Sequence, residues 1–145
     1  MDKNHEFITA MYQDASMALD SMSMLIKKLK CRDNKIKEVI EKCIKGYEKH
    51  LKIIKGFMKE NNYEITSVPL IGKMGAYMGI NMEVIKDNSD SRMADMLIQG
   101  ITMGVLNTSK NINKYKGDVN KDIVLIAKDF LKHQEESIEK LKQYL

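Results

Sequence analysis

Tryptophan is absent from this chain of 145 residues, proline occurs once, cysteine twice, and aromatic residues make up only 6%. A β fold built from many short strands needs more turn-forming residues than this, so the composition points to long helices. Cys31 falls in a predicted loop and Cys43 on the apolar face of a predicted helix, which does not make a disulfide framework. Reduced thiols are expected. No apolar run approaches the roughly 20 residues of a membrane-spanning helix. The start, Met1-Asp2-Lys3-Asn4-His5-Glu6, lacks the basic opening and apolar stretch of a secretory signal. A cytoplasmic protein without membrane contact is the resulting expectation. The formal charge of +4 is also small, and two basic runs, Lys27, Lys28, Lys30, Arg32, Lys35 and Lys37, and Lys110, Lys114, Lys116 and Lys121, fall at the tips of the two expected hairpins, which the crossover would place at opposite poles. A nucleic-acid binder would concentrate a larger excess on one surface, and lysines in the last turn of a helix already complement its dipole. Nucleic acid is therefore not an expected partner.

What the chain does contain is a repeat. Residues 8 to 30 return as 94 to 116, with Gln13/Gln99, Met17/Met103, Ser23/Ser109, Ile26/Ile112, Lys28/Lys114 and Lys30/Lys116 as identities. The segments that follow also align, through Ile36/Ile123, Lys45/Lys132, Glu48/Glu135 and Leu51/Ile138. Each copy carries helical periodicity. Ile8, Met11, Ala15, Ala18, Met22, Leu25 and Leu29 mark a helix over about 5–30, and Ile36, Ile40, Cys43, Tyr47, Leu51, Ile54 and Met58 mark another, begun by Asp33 as N-cap and ended by Asn61-Asn62. A shorter helix from Pro69 to about Lys86 is predicted next, then helices over about 92–115 and from Lys121 to the end. The chain is long enough for one domain and short for two. A single all-α domain over 1–145 is expected: a hairpin at about 5–61, a crossover at 62–90 and a second hairpin at about 91–145.

A crossover of about 30 residues is too long for a tight turn and long enough to cross a bundle lengthwise. Duplicated hairpins, that crossover, and the similar spacing from Gln13 to Glu48 and from Gln99 to Glu135 resemble the ferritin-like superfamily. The resemblance implies a four-helix bundle, to which this chain adds the short helix predicted from Pro69 in its crossover. It also implies a di-iron site, with a Glu from each of two helices and Glu-x-x-His from each of the other two. Helical phase does not supply those ligands. Advancing about 100° per residue, the inward centres fall at Ala15, Tyr47, Ile101 and Gln134, so the Glu-x-x-His positions hold Tyr47-x-x-His50 and Gln134-x-x-Ser137. Glu48 and Glu135 lie well off the inward line and are weak metal candidates, as is His50. No cofactor is expected.

Two groups of residues remain. Tyr47, His50, Gln134 and Ser137, with Tyr12 and Thr108, form a candidate polar island in the core, whose members must hydrogen-bond to one another or to trapped water. Such an island either fixes how the hairpins pack or, with Ala15, Ala18 and Gly104 leaving space, lines a small ligand pocket. The second group, Gln13, Met17, Met24, Met96, Gln99 and Met103, points away from the inward stripe by the same phase. A repeated apolar strip on the outer face of two matched helices suggests an interface, either with the crossover helix or in a homodimer. His5 and His133 read as surface residues, and no Gly-x-Ser-x-Gly or phosphate-binding glycine loop is present. The expectation is a non-enzymatic binding or structural module that self-associates. The alternative is a metal-binding ferritin-like oxidase or storage-related protein with an unconventional site around His50, Tyr47 and Glu48.

Overall fold

A computed structural model describes residues 2–65 and 86–145. Four helices account for nearly all of them: α1 (Lys3–Lys28), α2 (Lys37–Glu60), α3 (Asp90–Tyr115) and α4 (Lys121–Lys142), with no strand among the described residues. The expected helix from Pro69 to Lys86 lies almost wholly outside them. None of the described helices is long and apolar enough to cross a membrane.

Local chemistry sets the helix ends. The Asp2 side chain accepts from the His5 amide at 2.7 Å, Ser89 from Arg92 at 3.2 Å and Asn120 from Asp122 at 2.8 Å, each relieving an otherwise unpaired amide of the first turn. Helix α2 has no cap of its own. Asp33, the expected N-cap, stays outside the helix, and the capping acid comes from the other hairpin. The Asp90 carboxylate accepts from the Asn34 side chain at 2.9 Å, the Lys35 amide at 3.2 Å and the Ile36 amide at 3.5 Å. At the other end of α2, Asn62 takes φ 57° and the Tyr63 amide bonds back to the Met58 carbonyl at 2.8 Å. That is a left-handed helix stop, which asparagine tolerates better than most residues.

Contacts at the helix ends fix the topology. The His5 ring stacks on Tyr63 at 4.7 Å, the Tyr115 hydroxyl donates to Glu6 at 3.0 Å, and the Asn120 amide donates to the Asn4 side chain at 2.8 Å. One pole therefore gathers the start of α1, the end of α2 and the α3–α4 turn. The opposite pole joins the α1–α2 loop to the start of α3 through Asn34, Asn88 and Asp90. Helices α2 and α3 thus set out from the same pole and run parallel. Tyr63 and Asn88 therefore stand at opposite poles, separated by roughly the 36 Å length of the 24-residue α2. Packing is heaviest within each hairpin, α1 on α2 and α3 on α4, and lighter between α1 and α3 and between α2 and α4.

The core follows the apolar stripes: Phe7, Ile8, Met11, Ala15, Met22 and Leu25 from α1, Ile40, Tyr47, Ile54 and Met58 from α2, Met93, Leu97 and Ile101 from α3, and Ile123, Ala127, Phe130 and Leu141 from α4. Near its start α3 is enclosed on more than one side, since Met93, Ala94, Met96 and Leu97 are all buried. This corrects the outward placement of Met96. A phase count treats one face as outer along the whole helix, whereas the start of α3 is covered on more than one face.

Candidate functional site

The register of the poles places the middle of the bundle. Helices α1 and α4 run parallel from the Asn4–Asn120 bond, and fourteen residues along each bring Ala18 level with Gln134. Eleven residues from the Glu6–Tyr115 bond bring Gly104 level with Met17, beside Ala18. Sixteen residues from the His5–Tyr63 stack put Tyr47 within a turn of the same height. The central layer therefore combines two small residues, Ala18 and Gly104, with a phenol and a carboxamide. Tyr47 is fully buried and Gln134 is 1% exposed.

The polar members of this region are expected to bond to one another or to trapped water, and no direct bond joins Gln134 or Thr108 to another group among the described residues. Both atoms of the Gln134 carboxamide are buried without a hydrogen-bond partner, as is the Thr108 hydroxyl. Ser137 is buried and its hydroxyl donates to the His133 carbonyl one turn back at 2.8 Å. Tyr47 meets its neighbours edge-on, with Phe130 at 5.8 Å and His133 at 4.8 Å between ring centroids. Tyr12 is only half-buried and packs at the margin of the core.

The largest departure from the sequence reading is His133, expected at the surface. It is half-buried in the seam between α2 and α4, stacked on His50 with ring centroids 5.0 Å apart and planes 27° apart. Its position depends on Gly46. A Cβ on that glycine would stand 2.0 Å from Cε1 of the His133 ring, so only a residue without a side chain lets the imidazole lie against the α2 backbone. Glycine inside a helix costs about 1 kcal/mol relative to alanine. Here that cost accompanies a specific fit. Burial, followed by the charges of His50 and Lys140, holds His133 down to about 4, while the Cys43 carbonyl beside the ring acts weakly the other way. His50 is also lowered, by burial first and Lys49 second. Both imidazoles are therefore neutral at pH 7. Burial raises the Cys43 thiol, which is not a ready nucleophile.

A second group missed from the sequence is Asp14. It is only 8% exposed, and burial raises its carboxyl to about 7, opposed by a hydrogen bond from the Asn107 side chain. The register explains the pair: eight residues on from Glu6 and eight back from Tyr115 bring Asp14 and Asn107 face to face across α1 and α3.

The other anticipated residues are distributed as follows. Glu48 and Glu135 are exposed, and His50 is half-buried on the seam. Of the proposed interface strip, Gln99, Met103 and Met24 are exposed, while Gln13 and Met17 are partly buried, Met17 packing against the core. Leu106, one turn from Met103, extends the exposed apolar surface of α3 at 52% exposure. Among the described residues, no group of three or more His, Cys, Asp or Glu converges on a point where a metal ion could sit. Comparison of the chain with protein-family models, curated proteins and solved structures finds no match.

Proposed function

We propose that this chain is a divergent ferritin-like bundle that works as a self-associating structural or binding module rather than as a di-iron enzyme. The observation that carries this reading is the content of the central layer. At the heights where a ferritin-like centre would converge several carboxylates and histidines, the chain holds Ala15, Ala18, Tyr47, Ile101 and Gln134, with Asp14, already engaged by Asn107, as the one buried carboxyl, which is too few ligands for a pair of hard divalent ions. The repeat in the sequence and the parallel course of α2 and α3 support the family assignment. A homodimer is the expected assembly, through the exposed Met103 and Leu106 of α3 together with Gln99 and Met24.

Light scattering on purified protein tests the assembly. A dimer at micromolar concentration that becomes monomeric in Met103→Lys with Leu106→Lys is expected; a wild-type monomer, or a dimer untouched by the double substitution, rejects it. Iron analysis tests the chemistry. Two irons per chain in protein purified without chelators would reject a non-enzymatic bundle.

A further inference from the structure

The internal repeat carries a contrast that packing alone does not require. Leu51 on α2 and Ile138 on α4 occupy matching positions and both lie half-buried at the edge of the core, yet the charges beside them are reversed. Lys49 and Lys52 in the first copy stand where Glu136 and Glu139 stand in the second. Beside Leu51 the surface is hollowed into a groove of about 540 Å³, with Leu19, Leu51 and Gly56 along it and Lys52, Lys55 and Lys59 on its rim; Glu48 is the one acid among the described residues that line it. The three lysines recur at spacings of four and three and so share one side of α2. Among the described residues none of them forms an ion pair. Gly46 is accounted for by the His133 ring, whereas a Cβ on Gly56 would meet nothing within 4 Å. A helical glycine of that kind allows another backbone to approach closely. On α4, Ile138 is flanked by Glu135, Glu136 and Glu139, with Lys132 and Lys140 at the margins. Glu135 has no ion-pair partner among the described residues, and Glu136 and Glu139 meet only exposed lysines of their own helix, Lys132 at 4.0 Å and Lys142 at 2.7 Å. Exposed pairs of this kind contribute little and exchange partners at small cost.

We propose that the groove beside α2 receives α4 of a second copy of this chain, Ile138 meeting Leu51 and Leu19 while Glu135, Glu136 and Glu139 face the lysine rim. The apolar centre excludes water, and the charges choose the partner and its direction. With Leu51 opposite Ile138 and the two helices parallel, Lys55 would face Lys142 and Glu48 would face Glu135. Antiparallel docking instead brings Lys55 towards Glu135, Lys52 towards Glu136 and Glu48 towards Lys140, so the charges select that orientation. Within one copy His50 and His133 mark where α2 and α4 face each other. Advancing about 100° per residue, Lys55 lies about 140° round α2 from His50, and Ile138 about 140° round α4 from His133. The basic and acidic strips therefore turn to opposite sides of the bundle, and one neighbour cannot engage both. The contact is head-to-tail, and repetition extends it into a chain of copies. It is separate from the Met103 and Leu106 surface of α3 and rests neither on that surface nor on the ferritin-like assignment.

Light scattering on the full chain tests the proposal, in a Met103→Ser, Leu106→Ser parent that removes the α3 contact without adding charge. At low salt the mass should rise with concentration past two chains, and at high salt it should fall to the monomer, because screening weakens the attraction between the strips. Two variants reverse one strip each: Lys52→Glu with Lys55→Glu, and Glu136→Lys with Glu139→Lys. Far-UV circular dichroism checks that both fold. Each alone should associate at least roughly tenfold more weakly than the parent. An equimolar mixture should regain the parent's growth, because the acidic surfaces of the first variant then meet the basic surfaces of the second. Lys110→Glu with Lys121→Glu makes the same change of net charge at other exposed lysines and should leave assembly intact. The proposal is overturned if the parent stays monomeric or stops at two chains in low salt, if either reversed variant assembles as the parent does, if the mixture stays monomeric, or if the Lys110 and Lys121 changes abolish assembly equally.

Discussion

Asp14 gives this bundle an unusual dependence on pH, and Asp14→Asn exposes it. In the unfolded chain the carboxyl titrates at its ordinary 3.8; in the fold, burial raises it to about 7. The folded state therefore holds the proton more tightly. Its contribution to stability is fully present below pH 3.8 and is lost progressively as pH rises to about 7. Three pKa units at 1.36 kcal/mol each amount to about 4 kcal/mol, a large share of the 5–15 kcal/mol typical of a domain. His133 works in the opposite direction, since its pKa is depressed. Its contribution is present above 6.5 and is lost as pH falls towards 4, so the two slopes oppose each other over much of the same window. Asparagine keeps the shape and removes the charge. Urea denaturation followed by far-UV circular dichroism from pH 4 to 8.5 should show Asp14→Asn more stable than wild type by roughly 3–4 kcal/mol at pH 8, with the advantage vanishing near pH 4. The variant alone should also display the rise in stability from His133. A difference between the two proteins that stays constant over the whole range would refute the reasoning.

Other perturbations act on single contacts. Gln134→Leu removes a buried, unpartnered carboxamide and should raise stability by roughly 1–2 kcal/mol, measured as the urea midpoint; a clear loss would mean that the amide is well bonded. Gly46→Ala should cost roughly 1–3 kcal/mol despite the better helix propensity, because the new methyl meets the His133 ring. In a His133→Ala background the same change should be neutral or slightly stabilising, and equal costs in both backgrounds would deny the contact. Asp90→Ala should lose roughly 1–2 kcal/mol, and hydrogen exchange of the Lys35 and Ile36 amides should quicken; unchanged exchange would show that the cap contributes nothing.

The four long helices and the parallel course of α2 and α3 were visible in the sequence, because stripes such as Ile8, Met11, Ala15, Ala18 and Met22 are dictated by one helix alone. The features missed each depend on a second helix. His133 is covered because Gly46, on α2, has no side chain, and nothing within α4 announces that. Asp14 lies beside the strongest stripe of α1 and is buried because Asn107 and α3 widen the covered face. The cap of α2 escaped notice because Asp90 reaches it from 54 residues away. Tyr47 and Gln134, by contrast, sit at the centres of their stripes and were placed by phase alone. Which partner each polar end meets depends on the neighbouring helices, which periodicity does not encode.

The uneven packing of the four helices has a kinetic side. Contacts within a hairpin close short loops, whereas contacts between hairpins join residues far apart in the sequence. Loop closure favours the local contacts, so each hairpin is a natural early unit and docking of the two is the later step. Groups that bridge the hairpins, among them Asp90 at one pole, Glu6 with Tyr115 at the other and the imidazoles between α2 and α4, would then act after the transition state. Interactions that form so late slow unfolding more than they speed folding. Their contribution would appear as the lifetime of the assembled bundle rather than as the speed with which it is made.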